Sequence, residues 1–281
     1  MFLSILEQSC VFLPLALGIY LSYGVLKIAD LTTDGSFVLG AGLYAITVGF
    51  GMPPVVGMGC AICGGMLAGL VVSLLQTRLQ LNPLIAGILL VFILNTLTLK
   101  IMGKPNISLF NHPSLFGGLA KMSVLLPLAI CLLMCSAGLL ASRLGLMLQA
   151  FGNQPTLLHL CGKNSHSYRM LGLSLSNGLV GCSGALTAQI NGYADVGMGT
   201  GVVLIALGTV IIGQQIYSYV FQRPSFAFFL RLLCCFLAIV LYFLTVQALL
   251  AIGLDPIYLR LMIGMCLIVF LGMTQKQKVL S

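Results

Sequence analysis

The sequence predicts an all-α integral membrane protein of about nine transmembrane helices, and three features carry that expectation. Of 281 residues, 59% are hydrophobic and 6% charged, with a mean hydropathy of +1.12, whereas an ordinary soluble domain is roughly a quarter charged. Apolar runs of about 20 residues, the length that crosses a bilayer as a helix, recur along the chain without the alternating pattern of a barrel strand. No hydrophilic stretch is long enough for a second, soluble domain, so residues 1–281 read as one membrane domain.

Taken in order, the apolar runs fall at about 8–28, 35–50, 54–77, 84–101, 122–142, 170–190, 200–220, 229–251 and 256–274. The first 28 residues have no basic start, carry Glu7 and stay apolar past the length of a signal core, so the first helix is expected to be retained. The second run is short, and would place the N-terminus on the other side if it were re-entrant. Between the fourth and fifth runs, Gly103 to Lys121 (GKPNISLFNHPSLFGGLAK) is too polar to span; its Pro and Gly punctuation predicts a loop with a short surface helix. The longest break in the second half is Arg143 to Arg169, whose centre lacks acidic residues. Putting that break in the cytoplasm places nine of the 13 basic residues inside and Lys100, Lys104, Lys121 and Arg260 outside. That asymmetry predicts an outside N-terminus and an inside C-terminus.

Small residues at helix-packing spacing, Gly65 with Gly69 and Gly197 with Gly201, are expected to let helices approach closely. Cys60 with Cys63, Cys131 with Cys135, and Cys234 beside Cys235 lie in apolar runs, and His112, His159 and His166 are not placed to complete a zinc site. The cysteines therefore read as packing residues, and no metal is expected. The net charge of +8 suits cytoplasmic loops and anionic lipid rather than nucleic acid.

An internal repeat is visible. IADLTTDGSFVLGAGLYAI (Ile28–Ile46) and YADVGMGTGVVLIALGTVI (Tyr193–Ile211) each run from Ala-Asp through a Gly/Ser/Thr-rich stretch into an apolar segment. The copies lie an odd number of segments apart, which predicts opposite orientations and hence inverted repeats, over about 8–101 and 170–274. Interrupted segments in such repeats line transport paths. Asp30, Thr33, Asp34 and Ser36 in the first copy, with Gln189, Asn191 and Asp195 at the second, are the candidate path or gating residues, because carboxylates and amides between apolar helices must face a cavity, water or a helix end. Asp34 or Thr33 is equally placed to cap the helix starting near Gly35, and the second set to sit in a solvated loop. Asn95 and Asn177, alone within apolar runs, are expected to bond neighbouring helices.

No phosphate-binding Gly-x-x-x-x-Gly-Lys-Ser/Thr, nucleophile elbow or His-Glu-x-x-His sequence is present, so no catalytic residues are expected. Five acidic residues leave an ion-coupled secondary transporter little to work with, although that class and a non-transport membrane subunit remain alternatives.

Four stretches carry a family resemblance over nearly the whole chain: DLTTDGSFVLGA (Asp30–Ala41), LNPLIAGIL with IMGKPNISLF (Leu81–Leu89, Ile101–Phe110), GNQP followed by CGKN (Gly152–Pro155, Cys161–Asn164), and LGLSLSNGLVGCSGALTAQINGYADVGMGTG (Leu171–Gly201). They resemble the permease subunits of bacterial ATP-binding-cassette (ABC) importers of the branched-chain amino acid and ribose type, in the branch assigned to tryptophan or tyrosine uptake. The resemblance implies the inverted-repeat fold of type II ABC importer permeases and a multi-pass place in the bacterial cytoplasmic (inner) membrane. It further implies a second, identical permease subunit, an ABC ATPase below that holds the ATP and Mg, and a solute-binding protein outside. No cofactor is implied in this chain. The implied cargo is an amino acid, with an aromatic one the first guess. It also implies that the loop 143–169 forms a coupling helix docking on the ATPase, through Gly152, Asn153, Pro155, His159, Gly162 and Asn164. The family pattern has Ala-Arg where Leu158 and His159 stand, so a permanent charge is missing. Independently of the resemblance, Pro155 suits a helix start and Gly162 the left-handed turn after its end, which predicts a helix of about two turns.

Overall fold

The computed structural model describes residues 2–110, 112–116, 120–160, 162–220, 228–253 and 264. Helix α1 (Phe2–Ile19) continues into a π-helical turn, Tyr20–Val25. Then follow α2 (Thr33–Gly49), α3 (Pro54–Arg78), α4 (Pro83–Met102), α5 (Lys121–Ala141), α6 (Arg143–Asn153), α7 (Pro155–Leu160), α8 (Ser165–Asn191), α9 (Val202–Val220) and α10 (Phe228–Ala251). Among the described residues, six helical stretches are long and apolar enough to cross a membrane, and the chain is an all-helical, multi-pass membrane protein. The expected ninth run, 256–274, lies outside the described residues except for Gly264.

Local chemistry sets the helix limits. Pro54 and Pro83 open α3 and α4 with a preset backbone angle and no amide to leave unpaired. The Asn82, Ser142 and Asn164 side chains accept from the amides of Leu84, Gly145 and His166 at the starts of α4, α6 and α8. Because Asn164 caps it, α8 begins within the expected 143–169 break rather than at 170.

The bundle is organised around α8, which is rich in Gly and Ser yet largely buried from Gly172 to Ala188. Its polar side chains find backbone acceptors on neighbours: Ser176 Oγ donates to the Gly18 carbonyl and Ser183 Oγ to that of Val11, both at 2.7 Å, and Ser174 Oγ to that of Met66 at 3.0 Å. These contacts run α1 and α3 antiparallel to α8. Small residues bring backbones together: a Cβ at Gly65 or Gly69 would overlap the carbonyl of Asn177 or Leu173, and one at Gly184 that of Phe37. The expected pair Gly197 and Gly201 does not pack helix on helix. Gly197 lies in a 3₁₀ turn (Val196–Gly199), and Gly201 has φ +80°, a left-handed position just before α9.

One end of the bundle carries a two-stranded ribbon, β1 (Asn106–Ser108) antiparallel to β2 (Tyr193–Asp195), with Ile107 opposite Ala194. This strand stands where a short surface helix was expected. Its backbone groups are satisfied by a segment some ninety positions away, and flanking bonds from Leu109 N to Gly192 O and Val196 N to Pro105 O extend the pairing; residues 111 and 117–119 of the loop lie outside the described set. The opposite end carries α6 and α7. Helix α6 is amphipathic, burying Gly145, Leu148 and Phe151 while Leu144 and Leu146 stay exposed.

Candidate functional site

Two helices start inside the bundle instead of at its ends. After the π-turn, residues 26–32 run back from the α6 end without regular structure, and α2 begins beside Asn177, near the middle of the 27-residue α8. From the ribbon end, residues 196–201 descend in the same manner, and α9 begins beside Asp34.

Asp34 joins the two starts. Its Oδ1 accepts the Val203 amide at 2.9 Å and its Oδ2 the Gly201 amide at 3.3 Å, so one carboxylate holds the first turn of α9 from the first turn of α2. The expectation that Asp34 or Thr33 caps α2 is corrected: α2 has Thr32 at its N-cap with no side-chain cap, and Thr33 Oγ1 donates to the Asp30 carbonyl at 3.3 Å. Two helix N-termini carry partial positive charge toward one another here, and a carboxylate between them offsets that repulsion. Gly199 completes the joint, since a Cβ there would overlap Val38.

Asp30, 4% exposed, is the hub of a second set. Its Oδ1 accepts the Thr32 amide at 2.9 Å and its Oδ2 the Asn177 Nδ2 at 2.8 Å. Asn177 Nδ2 also donates to the Leu173 carbonyl, and Asn177 Oδ1 accepts from Ser36 Oγ at 2.7 Å. The Asn177 amide thus bonds both a neighbouring helix and a carboxylate. Asp195 repeats the pattern: Oδ1 accepts the amide two residues on, Gly197, at 2.6 Å, and Oδ2 accepts the Asn106 Nδ2 at 3.2 Å.

Gln189 has both amide atoms buried without a partner, while Asn191 is exposed at the end of α8; neither contacts the Asp30 or Asp34 sets through a hydrogen bond. Gln76 is likewise buried, 4% exposed and unpartnered at both amide atoms, although in the sequence one Gln near a helix end looks like a solvated boundary.

At the α6 end, Pro155 opens α7, and Gly162 follows with φ +65°. Gly152 packs so closely that a Cβ would overlap the Val25 carbonyl, and Asn153 Oδ1 accepts from Lys27 Nζ at 2.8 Å. Asn164 caps α8. Gly152 therefore binds α6 to the π-turn and Asn153 binds it to the segment 26–32, which leads to the Asp30 and Asp34 sets. His159 lies in α7, but its side chain falls outside the described residues.

No group of three or more His, Cys, Asp or Glu is arranged to hold a metal among the described residues. Between α1, α3, α5, α8 and α10 lies an apolar cavity of about 180 Å³, lined by Tyr20, Met66, Cys135, Leu179 and Cys182 among others.

Comparison with known proteins places this geometry. The chain is 43% identical over 275 residues to an uncharacterized protein of Rickettsia prowazekii (strain Madrid E), covering 97% of both chains. It is 33% identical over 273 residues to a protein named tyrosine transport system permease protein from Clostridioides difficile (strain R20291), covering 96% of this chain and 90% of that one. No solved structure matches it. Residues 1–271 match the model described as branched-chain amino acid transport system / permease component, and with six helices of membrane-spanning length among the described residues, the chain belongs to that family of membrane permeases.

Proposed function

We propose that the chain is the membrane-spanning subunit of an ABC importer of the bacterial inner membrane, taking up an amino acid, with an aromatic one such as tyrosine as cargo. The observation that carries this reading is the meeting of two interrupted helices inside the bundle, joined by Asp34, in a chain that matches a permease family over its whole described length. Interrupted helices at mid-depth are where transporters expose polar atoms to a solute without exposing them to lipid. The shared pattern at Asp30 and Asp195 supports two inverted repeats.

The α6–α7 pair is the surface for a separate ATPase, with Gly152, Asn153, Pro155, His159, Gly162 and Asn164 shaping it. Movement of α6 is passed to the π-turn through the Gly152–Val25 packing and the Lys27–Asn153 bond, and from there along residues 26–32 to the Asp30 and Asp34 sets. Asp30, Thr33, Asp34, Ser36, Gln189, Asn191 and Asp195 serve the path or its gate, Asp34 as a positioning residue. A second copy of the chain completes the path, and a solute-binding protein delivers cargo at the ribbon end. The tyrosine assignment rests on the name of the Clostridioides difficile relative.

Replacing Pro155 with Ala and Gly162 with Val in the assembled complex tests the coupling surface. A β-branched side chain at φ +65° costs about 1–2 kcal/mol, enough to misplace a six-residue helix. Solute-stimulated ATP hydrolysis is expected to fall severalfold while the permease remains assembled; unchanged hydrolysis would remove α7 from the coupling route.

A further inference from the structure

We infer that the polar cavity of about 130 Å³ between the π-turn, α6 and α10 is an oxyanion site that takes a phosphate group, that of an anionic lipid headgroup or free phosphate. Nothing in the permease reading requires it.

Tyr20, Gly24, Gln149, Asn153 and Arg231 line the cavity. Arg231 supplies the charge. Its guanidinium stacks 5.0 Å from the centre of the Tyr217 ring and shares the cavity wall with Tyr20. These partners orient the planar fork but do not neutralise it, and among the described residues no carboxylate pairs with it: Glu7, Asp30, Asp34 and Asp195 are engaged or lie elsewhere. A guanidinium held in place by aromatic rings, with donor directions left over, matches the oxygens of a phosphate better than a flexible ammonium would. Lys27 adds a second positive charge at the rim, fixed by its bond to Asn153 and held at φ +56°, a left-handed conformation uncommon for a residue with a Cβ.

The surrounding backbone points the same way. The wall contributed by Tyr20, Gly24 and Val25 is a π-helical turn, a local departure found disproportionately at functional sites. Helix α6 is amphipathic, the pattern of a helix lying at a membrane surface, and its Gln149 and Asn153 line the cavity. Basic pockets between membrane helices recognise anionic headgroups by this combination of charge and depth. The occupant would touch the parts that the coupling route uses, Asn153 of α6 and the turn leading to residues 26–32, and would stiffen their contact.

The test uses the full-length purified chain, with native mass spectrometry and thermal melting as readouts. The probes are phosphatidylglycerol, phosphatidylcholine and inorganic phosphate, each titrated against the unsubstituted chain, Arg231→Gln, Arg231→Lys and the ribbon-end control Lys121→Gln. Phosphatidylglycerol is expected to bind and raise the melting temperature where phosphatidylcholine does not. Arg231→Gln should weaken that binding roughly tenfold or more, the loss of one or two charged hydrogen bonds. Arg231→Lys should retain part of it, and Lys121→Gln all of it. If inorganic phosphate reproduces the stabilisation and its Arg231 dependence in lipid-free detergent, the occupant is a free phosphate; if only the lipid does, it is a headgroup. Equal binding of either probe to the unsubstituted chain and to Arg231→Gln, at matched melting temperatures without ligand, would overturn the assignment.

Discussion

Asp34→Ala is expected to reduce solute uptake by more than tenfold and to lower the stability of the permease by about 2–5 kcal/mol, the range for removing a charged acceptor that serves two shielded backbone amides. The carboxylate is the hydrogen-bond link between the starts of α2 and α9, and without it the Gly201 and Val203 amides lose their acceptor and two helix dipoles face each other unscreened. Asp34→Asn separates charge from geometry. It retains an oxygen for Val203, the shorter bond at 2.9 Å, but turns an NH₂ toward the Gly201 amide. Its losses should fall between those of the native residue and alanine, in both melting temperature and uptake. Native-like melting and uptake in Asp34→Ala would show that the two helix starts are held by packing alone.

The second large effect concerns backbone contact at the hub. In Gly184→Val, the Cβ itself would meet the Phe37 carbonyl, so no rotation of the side chain relieves the overlap. Overpacking of a close helix crossing costs about 1–3 kcal/mol or more where the obstacle is backbone and cannot rotate away. We expect most of the variant to be lost as aggregate on detergent extraction, measured by size-exclusion chromatography. Gly59→Val is the matched comparison, because nothing lies within 4 Å of a Cβ there, and it should extract like the native chain. Equal extraction of the two variants would mean that α2 and α8 are not in contact as described.

Much of this fold was legible because hydropathy and helix punctuation are local properties. Pro54, Pro83 and Pro155 open helices where a proline can, and Gly103, Gly162 and Gly192 follow helix ends with positive φ. What escaped depends on contacts distant in sequence. Asp34 satisfies every local rule for a cap of α2, and only the approach of α9 reveals that its oxygens serve Gly201 and Val203 instead. The β1 and β2 strands are three residues each, too short to show alternation, and exist because each completes the other. Asn177 looked like a solitary amide in an apolar run; its partners Asp30 and Ser36 lie more than 140 positions away. Arg231 likewise looks in sequence like an ordinary positive-inside charge; its stacking on Tyr217, 14 positions away and on another helix, is what sets its guanidinium at a cavity.

The central claim is that this permease works for an ATP-driven importer. It is tested most directly in proteoliposomes containing the chain with the proposed ATPase and solute-binding protein, by following labelled tyrosine uptake with and without ATP. The account predicts uptake that requires ATP and the ATPase subunit together and is indifferent to proton and sodium gradients. Uptake that persists without the ATPase and follows an imposed ion gradient would contradict it.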